Sequence, residues 1–301
     1  MSYLEENFIS VVIVVSNDKN IIQDRINRIF RVLNEKFKYS EVILVDNMSS
    51  DGTLELLKQS KHKLTIIELP KKHNSQQALA AGIDIAIGDY LVEIEDPSLE
   101  INYTVIIDMY QECLSGNDFV FYTPEKISWT SNIFHGLLNR CFKASFTSDI
   151  SSSIITLSSR RGQNRTAAIG SRIVNRYVSY VLCGLRTSTI KSNIRYNNRR
   201  GWIQNLNLMI DTFIYYTDFI VKFSMVVAVA FFLISLLAGI YSVSAFLTKI
   251  TAPGWASMVV FGSVGFSGVF LMFAIVAKYL HHILNDSSGT KSYVFRSVDK
   301  N

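Results

Sequence analysis

The chain has 301 residues, enough for one large domain or two modest ones. Hydrophobic types make up 49% and charged types 18%, with a mean hydropathy of +0.21, which excludes a disordered chain and argues against a purely soluble domain of average composition. The net charge of +5 hides a partition: residues 1–140 carry 13 Lys+Arg against 20 Asp+Glu, residues 141–222 carry 12 against 3, and the remainder 5 against 2. Cys113, Cys141 and Cys183 are odd in number and lack Cys-x-x-Cys spacing, so they support neither a disulfide framework nor a zinc site and favour a reducing compartment. Met1 to Phe8 holds two glutamates and no apolar core, unlike a signal peptide.

The first half alternates strand and helix signals. Phe8–Val15 is an almost unbroken β-branched run, as expected of a strand buried on both faces. Ile22, Ile26, Ile29, Phe30 and Leu33 recur at helical spacing. Glu41–Asp46 reads as a second strand, and 51–59 as a helix opened by Ser-Ser-Asp cap residues. Leu64–Leu69 reads as a third strand, and Asn74 with Gln77 resembles a capping box at the head of a helix through Ala86. Tyr90–Glu95 is the fourth strand, Tyr103–Leu114 a helix and Phe119–Tyr122 a fifth strand. Such alternation implies an α/β fold with a doubly wound, mostly parallel sheet. Ligands of such sheets lie beyond the carboxyl ends of the strands, which directs attention to 15–20, 46–53, 70–76 and 95–100.

Two uncharged runs follow, Phe223–Tyr241 and Trp255–Ala277. At ~1.5 Å per residue they reach ~28 and ~34 Å, enough to cross a ~30 Å hydrocarbon core. Two transmembrane helices are expected, at roughly 219–247 and 255–280. The loop between them has only Lys249, whereas the flanks carry Arg195, Arg199, Arg200, Lys222, Lys278, Lys291, Arg296 and Lys300, which places both termini on the cytoplasmic side of the membrane. Trp202, Leu206, Met209 and Phe213 form an apolar stripe, expected as a helix lying in the membrane interface, with a core helix as the alternative. The basic stretch before the runs points to anionic head groups or a phosphorylated lipid, and its position there argues against nucleic acid as partner.

The strand ends carry the candidate chemistry. Ser16-Asn17-Asp18 follows the first strand and Asp46-Asn47-Met48-Ser49-Ser50-Asp51-Gly52-Thr53 the second. Short carboxylates there accept from ribose hydroxyls or a base edge; alternatively Asp46, Ser50 and Asp51 only shape a turn and cap a helix. Glu93, Glu95 and Asp96 fall within four residues, the hard oxygen donors that Mg²⁺ or Mn²⁺ needs, or else a solvated acidic strand end before Pro97.

Val11–Asn17, Asp46 to Thr53, Ala78-Leu79-Ala80-Ala81-Gly82-Ile83-Asp84 with Gly88-Asp89, and Gly116-Asn117-Asp118 together resemble family 2 glycosyltransferases of the GT-A fold. With two C-terminal membrane helices and a tail running from Lys278-Tyr279-Leu280 to Tyr293-Val294, the layout is similar to polyprenyl-phosphate glycosyltransferases. The resemblance implies four regions: a nucleotide-sugar domain over 1–160, a basic juxtamembrane segment with interfacial helices over 161–218, two transmembrane helices over 219–280, and a cytoplasmic tail over 281–301. It implies inverting transfer from a nucleotide sugar to a polyprenyl phosphate at the cytoplasmic membrane face. By the same resemblance Asn17, Asp46 and Asp51 contact the nucleotide, Glu95 and Asp96 hold a weak Mg²⁺ or Mn²⁺ site populated only with a nucleotide diphosphate, Asp149 is the nearest acid to the catalytic segment, and Arg199 and Arg200 meet the lipid phosphate. A homo-oligomer is permitted by it.

The chain departs from the family pattern at several points. The Asp-x-Asp segment reads Glu95-Asp96-Pro97, and the glycine of the Asp-Asp-Gly-Ser turn is Met48. The Arg-Asn-x-Gly segment is Lys71-Lys72-His73-Asn74, Ser151 to Arg160 replaces a carboxylate-containing segment, and the basic Arg-x-x-Gly near the membrane is Arg199-Arg200-Gly201. These departures keep open a second reading, a non-catalytic glycosyltransferase-like membrane subunit that binds lipid, nucleotide or a partner protein.

Overall fold

Strand β1 (Ile9–Val15) is buried along all seven residues, because sheet neighbours flank it and helices cover both faces. A computed structural model describes residues 4–126, 129–142, 153–169, 174–195, 202–217, 219–247, 254–287 and 293–300. The order continues α1 (Ile22–Lys36), β2 (Ser40–Asp46), α2 (Thr53–Lys58), β3 (Thr65–Glu68), α3 (Ser75–Ile85), β4 (Tyr90–Ile94), α4 (Val105–Leu114) and β5 (Phe119–Lys126). Then follow α5 (Trp129–Phe142), β6 (Ile155–Ser159), α6 (Arg160–Ala167), α7 (Arg176–Leu182), β7 (Thr187–Arg195), α8 (Trp202–Tyr216), α9 (Phe219–Leu247), α10 (Trp255–Ser287) and β8 (Ser297–Lys300).

The strands form one sheet in the order β7-β5-β6-β4-β1-β2-β3-β8. Side-chain alternation splits β1 between two cores. Val11, Ile13 and Val15 join Ile22, Ile26, Ile29 and Leu33 of α1 with Ile106 and Met109 of α4, while Val12 and Val14 join Ala78, Leu79 and Ala81 of α3. Helix α3 starts where the capping signal places it: Asn74 is the N-cap and its side chain accepts from the Gln77 backbone N–H at 2.8 Å.

The sheet is mixed rather than mostly parallel. The run β4-β1-β2-β3 is parallel, but β6 lies between β4 and β5 and runs against both, and β8 runs against β3. β7 then pairs in parallel with β5. Strand β6 escaped sequence reading because Ser151–Arg160 is serine-rich, yet Ser158 is fully buried between its neighbours and Gln163 donates to its hydroxyl at 2.7 Å. Residues 161–195, expected within a basic juxtamembrane segment, supply α6, α7 and β7. Three arginines of α6 and α7 have internal partners: Arg160 donates to the carbonyls of Gly88 and Ala86, Arg161 pairs with Asp118, and Arg176 pairs with Glu93.

Residues 1–208 and 290–301 form one unit, and 209–289 a second. The stretch expected as a tail thus returns to the sheet. Arg296 pairs with Glu68 at 2.7 Å, Lys58 with Asp299 at 3.3 Å, the Tyr293 hydroxyl bonds Asp84, and Tyr293 packs in the α3-side core. In the second unit α9 and α10 are single helices of 29 and 33 residues, and Lys278 pairs with Asp211 at 2.7 Å. Among the described residues, no helix is long and apolar enough to cross a membrane. Over their complete sequences, however, α9 carries no charge from Phe223 onward and α10 none from Trp255 to Ala277.

Close packing of α3 on the sheet needs a glycine at one point. A Cβ at Gly82 would lie 2.3 Å from Val12 Cγ1 and 2.9 Å from Val45 Cγ2. Gly82→Ala should therefore lower stability by about 1–3 kcal/mol through overpacking, despite the better helix propensity of alanine. Chemical denaturation followed by near-ultraviolet circular dichroism measures this, and an unchanged midpoint would refute the close contact.

Candidate functional site

The loops after β1 and β2 are tied together by side chain to backbone bonds. The Asn17 N–H donates to Ser49 Oγ at 3.1 Å, and Asn17 Oδ1 accepts from the Ser50 N–H at 2.8 Å. Asp51 accepts from the Lys19 N–H at 3.1 Å and from the Thr53 N–H and hydroxyl at 3.0 and 2.5 Å. Burial acts to raise the Asp51 pKa, but these bonds, led by the Thr53 hydroxyl, outweigh it and hold the carboxyl below its ordinary value. Asp18 N–H donates to the Thr53 hydroxyl at 3.0 Å. Of the three residues expected at the nucleotide, Asn17 and Asp51 therefore act within the fold as loop ties. Asn17 has φ +59° and Met48 φ +62°. The turn keeps a left-handed residue where the resembled family has glycine, at a backbone cost of about 1 kcal/mol or more for the methionine.

Asp46 is different. It is 1% exposed at the carboxyl end of β2. Its Oδ2 accepts from the Ser49 N–H at 3.3 Å, while Oδ1 is buried and, among the described residues, has no hydrogen-bond partner. Burial raises its pKa, with Glu68 and Asp51 adding to the effect against the Ser49 bonds. The next residue, Asn47, clamps the β3–α3 loop: its side chain donates to the His73 carbonyl and accepts from the His73 N–H, both at 2.8 Å. His73 Nδ1 lies 3.3 Å from Gln77 Oε1, and Nε2 is a second buried polar atom without a partner among the described residues. Burial lowers the His73 pKa, so the ring is neutral near pH 7. Sequence reading missed this histidine, whose only signal is its place after a parallel strand.

The three acids near the end of β4 separate. Glu93 is buried and takes the Arg176 guanidinium at 3.0 Å, Gln163 at 3.0 Å, and the Tyr180 hydroxyl. Arg176, 3% exposed, also donates to Gln163 Oε1 at 3.0 Å and to Tyr180. Burial disfavours the Arg176 charge, but the Glu93 carboxylate outweighs that and raises its pKa. Desolvation leads the rise at Tyr180. Glu93 is thus committed to α6 and α7, and cannot serve as the second metal carboxylate beside Glu95. Glu95 accepts from the Ser75 hydroxyl and from Gln76 Nε2 at 2.9 Å, and Asp96 accepts from the Ser98 N–H and hydroxyl at 2.9 and 2.5 Å. Among the described residues no group of three or more His, Cys, Asp or Glu gathers as a metal cage. Asp149, Arg199 and Arg200 lie outside the described residues.

Residues 10–176 match the family model described as glycosyl transferase family 2. An undecaprenyl-phosphate 4-deoxy-4-formamido-L-arabinose transferase from Edwardsiella ictaluri is 21% identical over 97% of this chain and 94% of its own. The uncharacterized glycosyltransferase YkcC of Bacillus subtilis is 26% identical over 39% of this chain and 37% of its own. Among solved structures, a glucosyl-3-phosphoglycerate synthase from Mycobacterium tuberculosis, in complex with Mn²⁺, uridine diphosphate and phosphoglyceric acid, has a TM-score of 0.50. It is 17% identical, with 67% of this chain and 74% of that one covered, and the likeness establishes the mixed α/β GT-A-like fold.

The Glu93 cluster has a testable consequence. Arg176→Met would leave a buried carboxylate unpaired, at a cost of about 3–5 kcal/mol, whereas adding Glu93→Gln should recover part of that loss. Urea denaturation of both variants measures the difference. A double variant no more stable than the single one would show that the pairing is not what holds α7 to β4.

Proposed function

The chain belongs to glycosyl transferase family 2, and on that premise we propose that it moves a sugar from a nucleotide-sugar donor to a polyprenyl phosphate at the cytoplasmic face of a membrane, with inversion at the anomeric carbon. The observation that carries this reading is Asp46 Oδ1, a buried acceptor left without a partner at a parallel strand's carboxyl end, where such folds take their ligands. An unfilled buried acceptor is costly unless a ligand donor meets it, and a nucleotide's N–H or O–H supplies that donor. Asn17 and Asp51 then frame the nucleotide through the loops they tie.

The donor set at the end of β4 fits a weak divalent site. Glu95 and Asp96 offer hard carboxylate oxygens, and one or two of these suffice for Mg²⁺ or Mn²⁺ when diphosphate oxygens and waters complete the shell. When bound, such an ion offsets charge on the departing nucleotide diphosphate. The Mycobacterium tuberculosis structure solved with Mn²⁺ and uridine diphosphate shares this fold and supports that choice. In the transfer itself a lipid phosphate oxygen forms the new bond to the anomeric carbon as the bond to the nucleotide diphosphate breaks. A phosphate is already anionic, so it needs positioning and charge compensation more than a base. Arg199 and Arg200 are proposed for that compensation and Asp149 as a carboxylate beside the sugar. The acceptor class rests on the Edwardsiella ictaluri relative, matched over nearly its whole length.

Two observations support membrane insertion through α9 and α10. Both helices are longer than the ~20 residues a span requires. Large apolar side chains on them are uncovered, Met225 at 69% exposed and Phe266 and Phe270 at 71%. Because the chain leaves the sheet unit after residue 208 and rejoins it at 290, an inserted α9–α10 segment would cross the membrane an even number of times. Two crossings would put both termini on the side of the sheet, and the basic flanks favour the cytoplasm for that side.

The direct test incubates the full chain, in detergent or vesicles, with labelled nucleotide sugars and polyprenyl phosphate, and follows label into organic-extractable product. Asp46→Ala should weaken nucleotide binding by about 1–3 kcal/mol, and joint replacement of Glu95 and Asp96 by alanine should remove any gain from Mg²⁺ or Mn²⁺. A parent that binds nucleotide but never yields lipid-linked sugar would favour the non-catalytic reading.

The orientation is tested separately, with a single cysteine near Ser288 in a cysteine-free background. It should react with impermeant maleimide only from the cytoplasmic side, and labelling only from the opposite side would reverse the topology.

A further inference from the structure

Gln76 stands between Glu95 and the buried Glu93 cluster. It belongs to the first turn of α3, directly after the Asn74 cap and Ser75, and is 9% exposed. Its Nε2 donates to Glu95 Oε2 at 2.9 Å, and the Ser75 hydroxyl donates to Glu95 Oε1. Its Oε1 accepts from the Arg176 backbone N–H at 3.0 Å, at the start of α7. The Arg176 guanidinium in turn holds Glu93 at 3.0 Å. The first turn of α3 therefore grips both oxygens of Glu95, and α7 is fastened to Glu93 directly and to Glu95 by way of Gln76. These partners leave the Gln76 amide one orientation. Turned over, it would set its oxygen against the Glu95 carboxylate and its NH₂ group against the Arg176 N–H.

We propose that Gln76 is a positioning residue for the divalent metal, holding the Glu95 carboxylate where the ion of a metal–nucleoside diphosphate complex meets it and tying that carboxylate to α7. This rests on the metal reading above. The need follows from how little else the site offers. Glu93 is committed to Arg176, and Pro97 stands where the resembled pattern has its second aspartate. A site with one or two carboxylates cannot rely on ligand number, so it depends on having them fixed beforehand. A glutamate has several rotatable bonds and loses that freedom on meeting an ion unless neighbours already hold it. The donors from Ser75 and Gln76 do this, at two of the about four acceptor positions of a carboxylate. Gln76 acts through Glu95 rather than on the ion, because its amide oxygen is turned to Arg176.

The experiment titrates the full chain in detergent with UDP, GDP, CDP and ADP by calorimetry, once with Mn²⁺ and once with EDTA, and carries the best-bound of them into the variants. The readout is the metal enhancement, the ratio of the two affinities. Gln76→Met keeps the length of the side chain without its polar end, and should cut that ratio about tenfold while the affinity in EDTA stays within about twofold. Lost packing alone would weaken both affinities together and leave the ratio unchanged. In a Glu95→Gln background, where the ratio is already low, Gln76→Met should lower it no further. Thermal melts verify folding. Gln76→Asn, whose shorter amide falls short of Glu95, should show the same loss and decides the case if Gln76→Met does not fold. A parent with metal enhancement that the folded variant keeps within about twofold overturns the role of Gln76 alone. So does an equal loss in the Glu95→Gln background, which would place the effect elsewhere. A parent that binds nucleotide without metal enhancement overturns the metal reading and this inference together, and a parent that binds none overturns the nucleotide reading with them.

Discussion

A strand buried on both faces can present polar groups only at its ends, and this constraint organises the molecule. β1 is wholly buried, and β2 and β4 nearly so, with α1 and α4 on one side and α3 on the other. No unpaired polar side chain is tolerated along such strands, because desolvation without a partner costs a few kcal/mol. The polar residues therefore collect in the loops beyond Val15, Asp46, Glu68 and Ile94. In those loops most side chains serve the backbone, as Asn17, Asp51 and Asp96 do. The exceptions are informative because they are few. Asp46 Oδ1, His73 Nε2 and the Tyr103 hydroxyl stay unpaired among the described residues of these strand ends and loops, and the first two sit at the carboxyl ends of neighbouring strands, at the edge where ligands of this fold class bind.

Glu93 shows how the same constraint is met inside the sheet. It points from a central strand into a low-dielectric region and is satisfied by a cation and two further donors, from α6 and α7. The arrangement spends one arginine of the basic stretch on structure, and Arg160 and Arg161 are spent likewise on Gly88 and Asp118. Local excess of positive charge is thus a poor measure of the charge offered to a ligand. What counts is the fraction without an internal carboxylate or carbonyl.

The resembled family's motif departures also take on physical meaning in three dimensions. Met48 holds a left-handed φ, so the turn geometry survives the loss of glycine. Asn74 stands where the family has glycine and caps α3 instead. Gly82 persists because α3 approaches β1 and β2 too closely for any side chain. Backbone shape is retained at each point where it positions a loop, even where residue identity has changed.

Periodicity and composition alone determined the alternating elements from Phe8 to Tyr122, the cap at Asn74, the two long helices over the uncharged runs and the place of Asp46, since each depends on residues close in sequence. β6 and β8 were not legible. A serine-rich strand becomes buried only when two others close over it, and Ser297–Lys300 pairs with Thr65–Glu68 across more than half the chain. The removal of Glu93 from the acidic cluster was equally hidden, because its partner Arg176 is 83 positions away. So was His73, whose significance lies in an atom left without a partner. Hydrogen-bond satisfaction is a property of the packed molecule, and only the tertiary structure decides which polar atoms the fold consumes and which it leaves for a ligand.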